Sequence, residues 1–412
     1  MMRDLQILGK GVSFPADTHV TGINGNTLVI GGTGSGKTMS IVEPALINTY
    51  DRSIIVTMTK RKLVKRYSGL LASRGYDIRI LDFADPDRST CSFDPLKYLR
   101  SESDVRQLAT AIIKAESAVN KNIDPYWDNA AISLLTSLIA YVITEYEHPT
   151  FADVLDLYHA IETKDGDSVF LETNVDEKFK QLARKNPRHF ALHGWNVFHN
   201  VSSRTASCIY STLAAAMETV FNPELSRLMR MHQDVDFESI AKIPTAVFVV
   251  TSPFNTALNR FVSIFYSTAF SELFSFAEEL ESGTLPVPVH VFCDDLATGS
   301  PITRLDEYIS IFREKGISID LLLQSESQLQ HMYGEQAATT IINNCDTYVY
   351  LGGMDLQSAK SISQRMNMPL EDVLYMPVGQ VFICRRGIKP IKTVRYDTLS
   401  DEIYRSIVDE IG

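Results

Sequence analysis

Gly31-Gly32-Thr33-Gly34-Ser35-Gly36-Lys37-Thr38 is the stretch whose reading decides the fold of this chain. It fits G-x-x-x-x-G-K-[ST], a phosphate-binding loop that requires a buried strand before it and a helix after it. Residues 27–30 are short, apolar and β-branched, and residues 39–48 carry helix formers. Small residues let successive backbone N–H groups curl around a phosphate, while the following helix turns its positive dipole end toward the same anion. Thr33, Gly34, Ser35, Gly36, Lys37 and Thr38 are therefore the candidate nucleotide cradle. In such a loop the lysine reaches the β- and γ-phosphates and the threonine hydroxyl holds Mg2+. The plainer alternative is a glycine-rich turn that happens to precede a helix.

Outward from the loop, strands and helices alternate. Residues 5–14 alternate weakly and predict an edge strand or hairpin ending at Pro15, followed by a turn over 22–26. A buried strand is expected at 53–57, a basic helix from Lys60, and a third strand at 77–83. That rhythm predicts a parallel α/β sheet. After Pro95 the periodicity becomes helical through residue 240, with loops at 120–124, 148–150 and 164–167. Strands resume at 245–251, 287–293, 317–323, 347–351 and 380–384, with a helix over 259–280. The expected organisation is an α/β domain of residues 1–100 and 241–412 carrying an inserted all-α domain of residues 101–240.

A chain of 412 residues exceeds the usual limit of one hydrophobic core, so two domains are expected. The net charge of −11 argues against a uniformly DNA-attracting surface and confines any such contact to a local basic feature. Five scattered cysteines without a C-x-x-C pair point to a reducing cytosol, with no zinc cluster and no disulfide framework. The N-terminus has no signal-peptide pattern. The apolar stretch 130–143 is too short for a bilayer and reads as a buried core helix. His189, His193 and His199 lack evident carboxylate partners, so they read as structural.

Residues 287–293 form an apolar strand that runs into Asp294 and Asp295. This is the form of a Walker B element, in which the first acid orients the Mg2+ shell and the second polarises the attacking water. A strand with a polar C-terminal cap has the same appearance. Asp295 stands where such motors more often carry glutamate, and one methylene less of reach matters for positioning water. Gln324 ends the strand at 317–323 and is placed to sense a γ-phosphate. Arg313, just before that strand, suits either a finger acting on a neighbouring subunit or a cation at a helix C-terminus. The run Lys60-Arg61-Lys62-Leu63-Val64-Lys65-Arg66 could line a DNA channel or form a solvated helix face.

Taken in order, these residues resemble the conjugative type IV secretion coupling proteins, the TraG-like DNA-transfer ATPases. Thr21-Gly22-Ile23-Asn24, Ser92-Phe93-Asp94-Pro95-Leu96-Lys97-Tyr98-Leu99-Arg100 and Asp124-Pro125-Tyr126-Trp127-Asp128-Asn129-Ala130-Ala131 carry the resemblance in the first half. Gly316-Ile317-Ser318, Leu323-Gln324-Ser325, Gln328-Leu329, Asn344-Cys345-Asp346-Thr347 and Leu351-Gly352-Gly353 carry it in the second. The resemblance implies a RecA-like P-loop NTPase domain with an inserted all-α domain, binding ATP and Mg2+. It implies ring hexamers with ATP between subunits, Arg313 as a trans-acting finger and Gln324 as the family's motif glutamine. It also implies export of relaxase-bound single-stranded DNA, sometimes protein, through a type IV channel, with the all-α domain meeting the relaxosome cargo. The family usually begins with transmembrane helices, which this sequence lacks. Two alternatives follow: a chain trimmed of that segment, or a membrane-free member docked on a membrane-anchored partner. The resemblance implies a cytoplasmic place peripheral to the inner face of the cell membrane, with a monomer as the alternative to the ring for the isolated chain. Where the family runs Asp-Pro-Lys-Gly-Glu, this chain has Met58-Thr59-Lys60-Arg61-Lys62.

Three functions compete on this reading. The first is a DNA-stimulated ATPase motor. The second is a nucleotide-switched cargo adaptor with little turnover, favoured by Asp295 and the lost acids. The third is a DNA pump of the chromosome-segregation type, which would not need the helical insertion.

Overall fold

The computed structural model describes residues 4–117, 125–161, 174–220, 223–230, 234–252, 256–294 and 301–411. They form two compact units, Met1–Asp82 with Asp236–Phe254 and Ala269–Gly412, and Phe83–Val235 with Asn255–Thr268.

The first unit opens with an antiparallel hairpin, β1 (Leu5–Gly9) and β2 (Val12–Pro15). Its sheet is built from β3 (Thr27–Ile30), β4 (Ser53–Met58), β5 (Asp77–Asp82), β6 (Thr245–Val250), β7 (Val289–Asp294), β8 (Ile317–Leu323), β9 (Thr347–Tyr350), β10 (Gln380–Arg385) and β11 (Ile391–Val394). The order across the sheet is β11-β10-β9-β3-β8-β7-β4-β6-β5. All pairs from β9 to β5 are parallel, and β10 and β11 add an antiparallel end.

The sequence encodes this directly. β3, β4 and β6 are buried at every position, as strands covered on both faces must be, and they read as unbroken apolar or small-polar runs. Val29, Ile54, Val56, Phe248 and Phe292 lie in the core they create. The strand after the phosphate loop's helix does not pair with β3; β8 and β9 flank β3 instead. This is the RecA-like α/β arrangement, and it separates the loop strand from β7 by one strand. β11 escaped the sequence reading because it is four residues long and alternately exposed at the sheet edge.

The helix after the loop begins with a π-helical turn, Thr38–Val42, before Glu43–Ile47 continues as α-helix. Pro44 has no N–H to give to the preceding turn, which favours the wider winding.

The second unit is helical. The helix Pro125–Glu145 has 21 residues, longer than the sequence suggested, and is by length and composition apolar enough to cross a bilayer. Its place here is the unit's core, where Leu134, Leu135, Leu138 and Ile139 are fully buried. The helix Ala191–Asn200 crosses it so closely that a Cβ on Gly194 would lie 2.0 Å from the Ser133 carbonyl oxygen. Beside that contact the backbone N–H of Trp195 donates to Ser137 Oγ at 3.0 Å, and the indole stacks on Phe179 at 4.1 Å. His199 has a carboxylate partner after all: its Nε2 lies 2.7 Å from Asp176. Among the described residues no three His, Cys, Asp or Glu side chains are grouped to hold a metal ion.

Residues 83–100 associate with the helices rather than with the sheet. Asp94 explains why: its carboxylate accepts from the Leu96 N–H at 2.9 Å and the Phe151 N–H at 2.8 Å. Phe93 meets Phe261 and Phe265 edge to face, and the Val235 N–H donates to the Ser92 carbonyl. The helix starting at Phe151 is capped reciprocally by Thr150 and Asp153. The loops expected at 120–124 and 164–167 lie outside the described residues. All five cysteines are free thiols.

Candidate functional site

The glycine loop is pinned at its start by its two flanking strands. The Gly31 N–H donates to the Leu323 carbonyl at the end of β8, and the Gly32 N–H to the Gly352 carbonyl just beyond β9. The Ser35 N–H closes back on Gly32 O at 3.1 Å. Gly34 and Gly36 have φ of 75° and 85°, a region that side chains disfavour, which is why both positions are glycine. Lys37 is buried, and its ammonium donates to the Gly31 carbonyl at 2.7 Å across the mouth of the loop.

Thr38 and Asp294 meet. The Thr38 hydroxyl donates to Asp294 Oδ2, although Asp294 ends β7, two strands away from β3 in the sheet. A hydroxyl and a carboxylate at the base of a phosphate loop form the oxygen donor set that a hard divalent cation takes. The expected second acid, Asp295, lies outside the described residues.

Gln324 follows β8 directly, and Leu323 pairs with Ile30, so the glutamine stands at the same sheet edge as the loop. It is exposed, and its backbone N–H is held by Gln328 Oε1 at 3.1 Å. Arg313 is placed differently. It lies in the last turn of the helix Leu305–Lys315, which enters β8 at the opposite edge. The seven residues of β8 put it ~20 Å from its own chain's loop. There it lines a cleft of about 470 Å3 together with Arg386, Asp346 and His19.

The cationic run is partly neutralised. Arg61 grips Asp82 through two hydrogen bonds at 2.6 and 2.9 Å. Arg66 is buried against Glu43 at 3.4 Å and bonds the Tyr404 hydroxyl at 2.9 Å. Lys60, Lys62 and Lys65 remain exposed on this segment.

Two arrangements had no signal in the sequence read residue by residue. The Asn24 N–H donates to Asp346 at 2.7 Å and the Asn24 side chain accepts the Asp346 N–H, so two distant quoted motifs lock together beneath β3 and β9. Asn26 adds bonds to Asn344 O and from the Ile319 N–H. The other arrangement is Arg395, whose guanidinium donates to the Ser35 carbonyl of the glycine loop. A lone arginine after a short edge strand carries no pattern that periodicity detects.

Residues 10–368 match the family model described as type IV secretory system conjugative DNA transfer. The chain is 24% identical over 369 residues to the type IV secretion system-coupling protein VirD4 of Bartonella henselae, covering 87% of this chain and 55% of the relative. VirD4 of Bartonella quintana aligns with the same identity and coverage. The chain thus spans about half the length of the curated relatives it matches. Among solved structures, the bacterial conjugative coupling protein TrwBdeltaN70 in an unbound form has a TM-score of 0.69 at 18% identity, over 95% of this chain and 88% of that one. TrwB in complex with ADP and Mg2+ has a TM-score of 0.69 at 17% identity, over 95% and 89%. At such identities the likeness is one of fold.

Proposed function

This chain belongs to the type IV secretory system conjugative DNA-transfer family, and from that premise we propose that it is an ATP-driven coupling protein that energises transfer of cargo to a secretion channel. The observation that carries the reading is the meeting of Thr38 with Asp294 beside Lys37. That the similar fold of TrwB was solved with ADP and Mg2+ supports ATP and Mg2+ as the ligands here.

In this reading the loop amides from Thr33 to Thr38 cradle the phosphates, and Lys37 leaves the Gly31 carbonyl to neutralise the β- and γ-phosphates. Thr38 and Asp294 hold the magnesium. When bound, the ion draws negative charge off the phosphate oxygens. Asp295 would polarise the attacking water, and Gln324, at the end of β8, would help hold it. Arg313 lies too far from its own loop to act in cis, which supports a role on the triphosphate of a neighbouring subunit in a ring, a homo-hexamer when active. The helical unit meets relaxase-bound single-stranded DNA or protein cargo, at the inner face of the membrane beside a membrane-anchored partner.

The decisive measurement is phosphate release with and without single-stranded DNA, alongside sedimentation with ATP and DNA present. Stimulation by DNA together with a ring-sized species supports the motor. Tight ATP binding with no stimulated turnover would replace it with a nucleotide-switched adaptor, a reading favoured by aspartate rather than glutamate at 295.

A further inference from the structure

We propose that Arg395 is a cis-acting positioning residue of the phosphate loop, which raises the affinity for nucleotide by polarising the Ser35–Gly36 peptide. The inference rests on reading that loop as a triphosphate site.

Beyond β11 the chain returns over the loop and is fastened on both sides of it. The Arg395 N–H donates to the Gly379 carbonyl at 2.8 Å. Three residues later the buried Thr398 hydroxyl donates to the Met39 carbonyl, in the first turn after the loop. Tyr396 bonds Asp401 at 2.6 Å, and Tyr404 lies under the Arg66 guanidinium at 4.8 Å. The arm is therefore built in place, and it delivers one cation. Arg395 Nη1 donates to the Ser35 carbonyl oxygen, and the guanidinium packs so tightly on Gly36 that a Cβ there would lie 2.6 Å from Nη1. Gly36 is glycine because of its φ of 85°, and the missing side chain leaves the room the guanidinium occupies.

The Ser35 C=O and the Gly36 N–H are the two ends of one peptide dipole. A cation on the oxygen pulls electron density from the nitrogen, and hydrogen bonds in series strengthen one another. The Gly36 N–H belongs to the amides that cradle phosphate in this motif. Arg395 thus makes that donor stronger without touching the nucleotide.

The test uses the whole chain and a fluorescent ATP analogue with Mg2+. Arg395→Gln keeps an N–H donor for the Ser35 carbonyl but removes the charge, whereas Arg395→Lys keeps the charge. The expected result is a Kd about tenfold weaker for Arg395→Gln, from loss of one charge-assisted bond. Arg395→Lys should stay within roughly threefold of the parent, with unliganded melting temperatures unchanged. Parental affinity in Arg395→Gln overturns the proposal. So does equal weakening of both variants with lowered melting temperatures, which would make the residue a structural clamp. Lys37→Ala serves as the control: if it binds as tightly as the parent, the reading of the loop itself fails, whatever Arg395 does.

Discussion

The Thr38 hydroxyl donates to the Asp294 carboxylate across 256 residues of sequence. The contact exists because the C-terminal ends of two parallel strands coincide: the loop leaves β3 at the same sheet edge at which β7 ends, with β8 between them. Everything proposed about nucleotide chemistry depends on this pairing.

Thr38→Ala and Asp294→Asn should each remove the magnesium-dependent part of ATP affinity, by about tenfold to a hundredfold. With EDTA present both should bind like the parent. Because the two groups serve one ion, the double variant should be scarcely worse than either single one. Titrations with and without Mg2+ read this directly, and additive losses would separate the two residues.

Lys37→Ala should weaken nucleotide binding on the order of a hundredfold, the loss of a charge-assisted contact of about 3 kcal/mol. Lys37 donates to the Gly31 and Gly32 carbonyls of its own loop at 2.7 and 3.5 Å, and the fold should survive its removal. Calorimetric titration and a far-UV melt on the same sample test both halves.

Arg313→Ala should lower phosphate release while leaving ATP affinity in place. It is exposed, at the sheet edge opposite its own loop. In mixed assemblies, a subunit with Lys37→Ala should lose activity only at its own loop, and one with Arg313→Ala only at its neighbour's. Equal loss of binding and turnover in Arg313→Ala would exclude a trans-acting role.

Asp94 should make the chain less stable as pH rises from about 4 to about 7. Burial pushes its carboxyl from 3.8 up to about 7, against the pull of the two backbone N–H groups it accepts from. Between those values the folded form keeps a proton that the unfolded form has lost, so stability falls through this window and levels off above it. The full effect is of order 4 kcal/mol. Thermal melts at pH 5 and pH 8 should show this slope in the parent, and a flatter one in Asp94→Asn.

Gly194→Ala should destabilise the helical unit by about 3 kcal/mol. The added methyl would collide with the Ser133 backbone carbonyl, which cannot rotate away as a side chain can. Urea unfolding followed by Trp195 fluorescence measures the loss, and an unchanged midpoint would contradict the close crossing.

By itself the sequence determined the elements: the strand-loop-helix at 27–47, the buried parallel strands, and the helical block after them. These are local properties, written in glycine spacing, β-branched runs and helical period. It also named Lys37, Thr38, Asp294 and Gln324 as candidates, since each sits at the end of a legible strand or loop. The tertiary structure alone decided who faces whom. It joined Thr38 to Asp294, sent Arg313 to the far edge, paired Arg61 and Arg66 with acids, gave His199 its Asp176, and brought Arg395 onto Ser35. Residues 83–100 joined the helices for the same reason, through an aspartate whose partner lies 57 residues on. Such pairings follow from strand order and register, which place distant residues at one edge, and a periodicity of two or 3.6 residues carries no record of them.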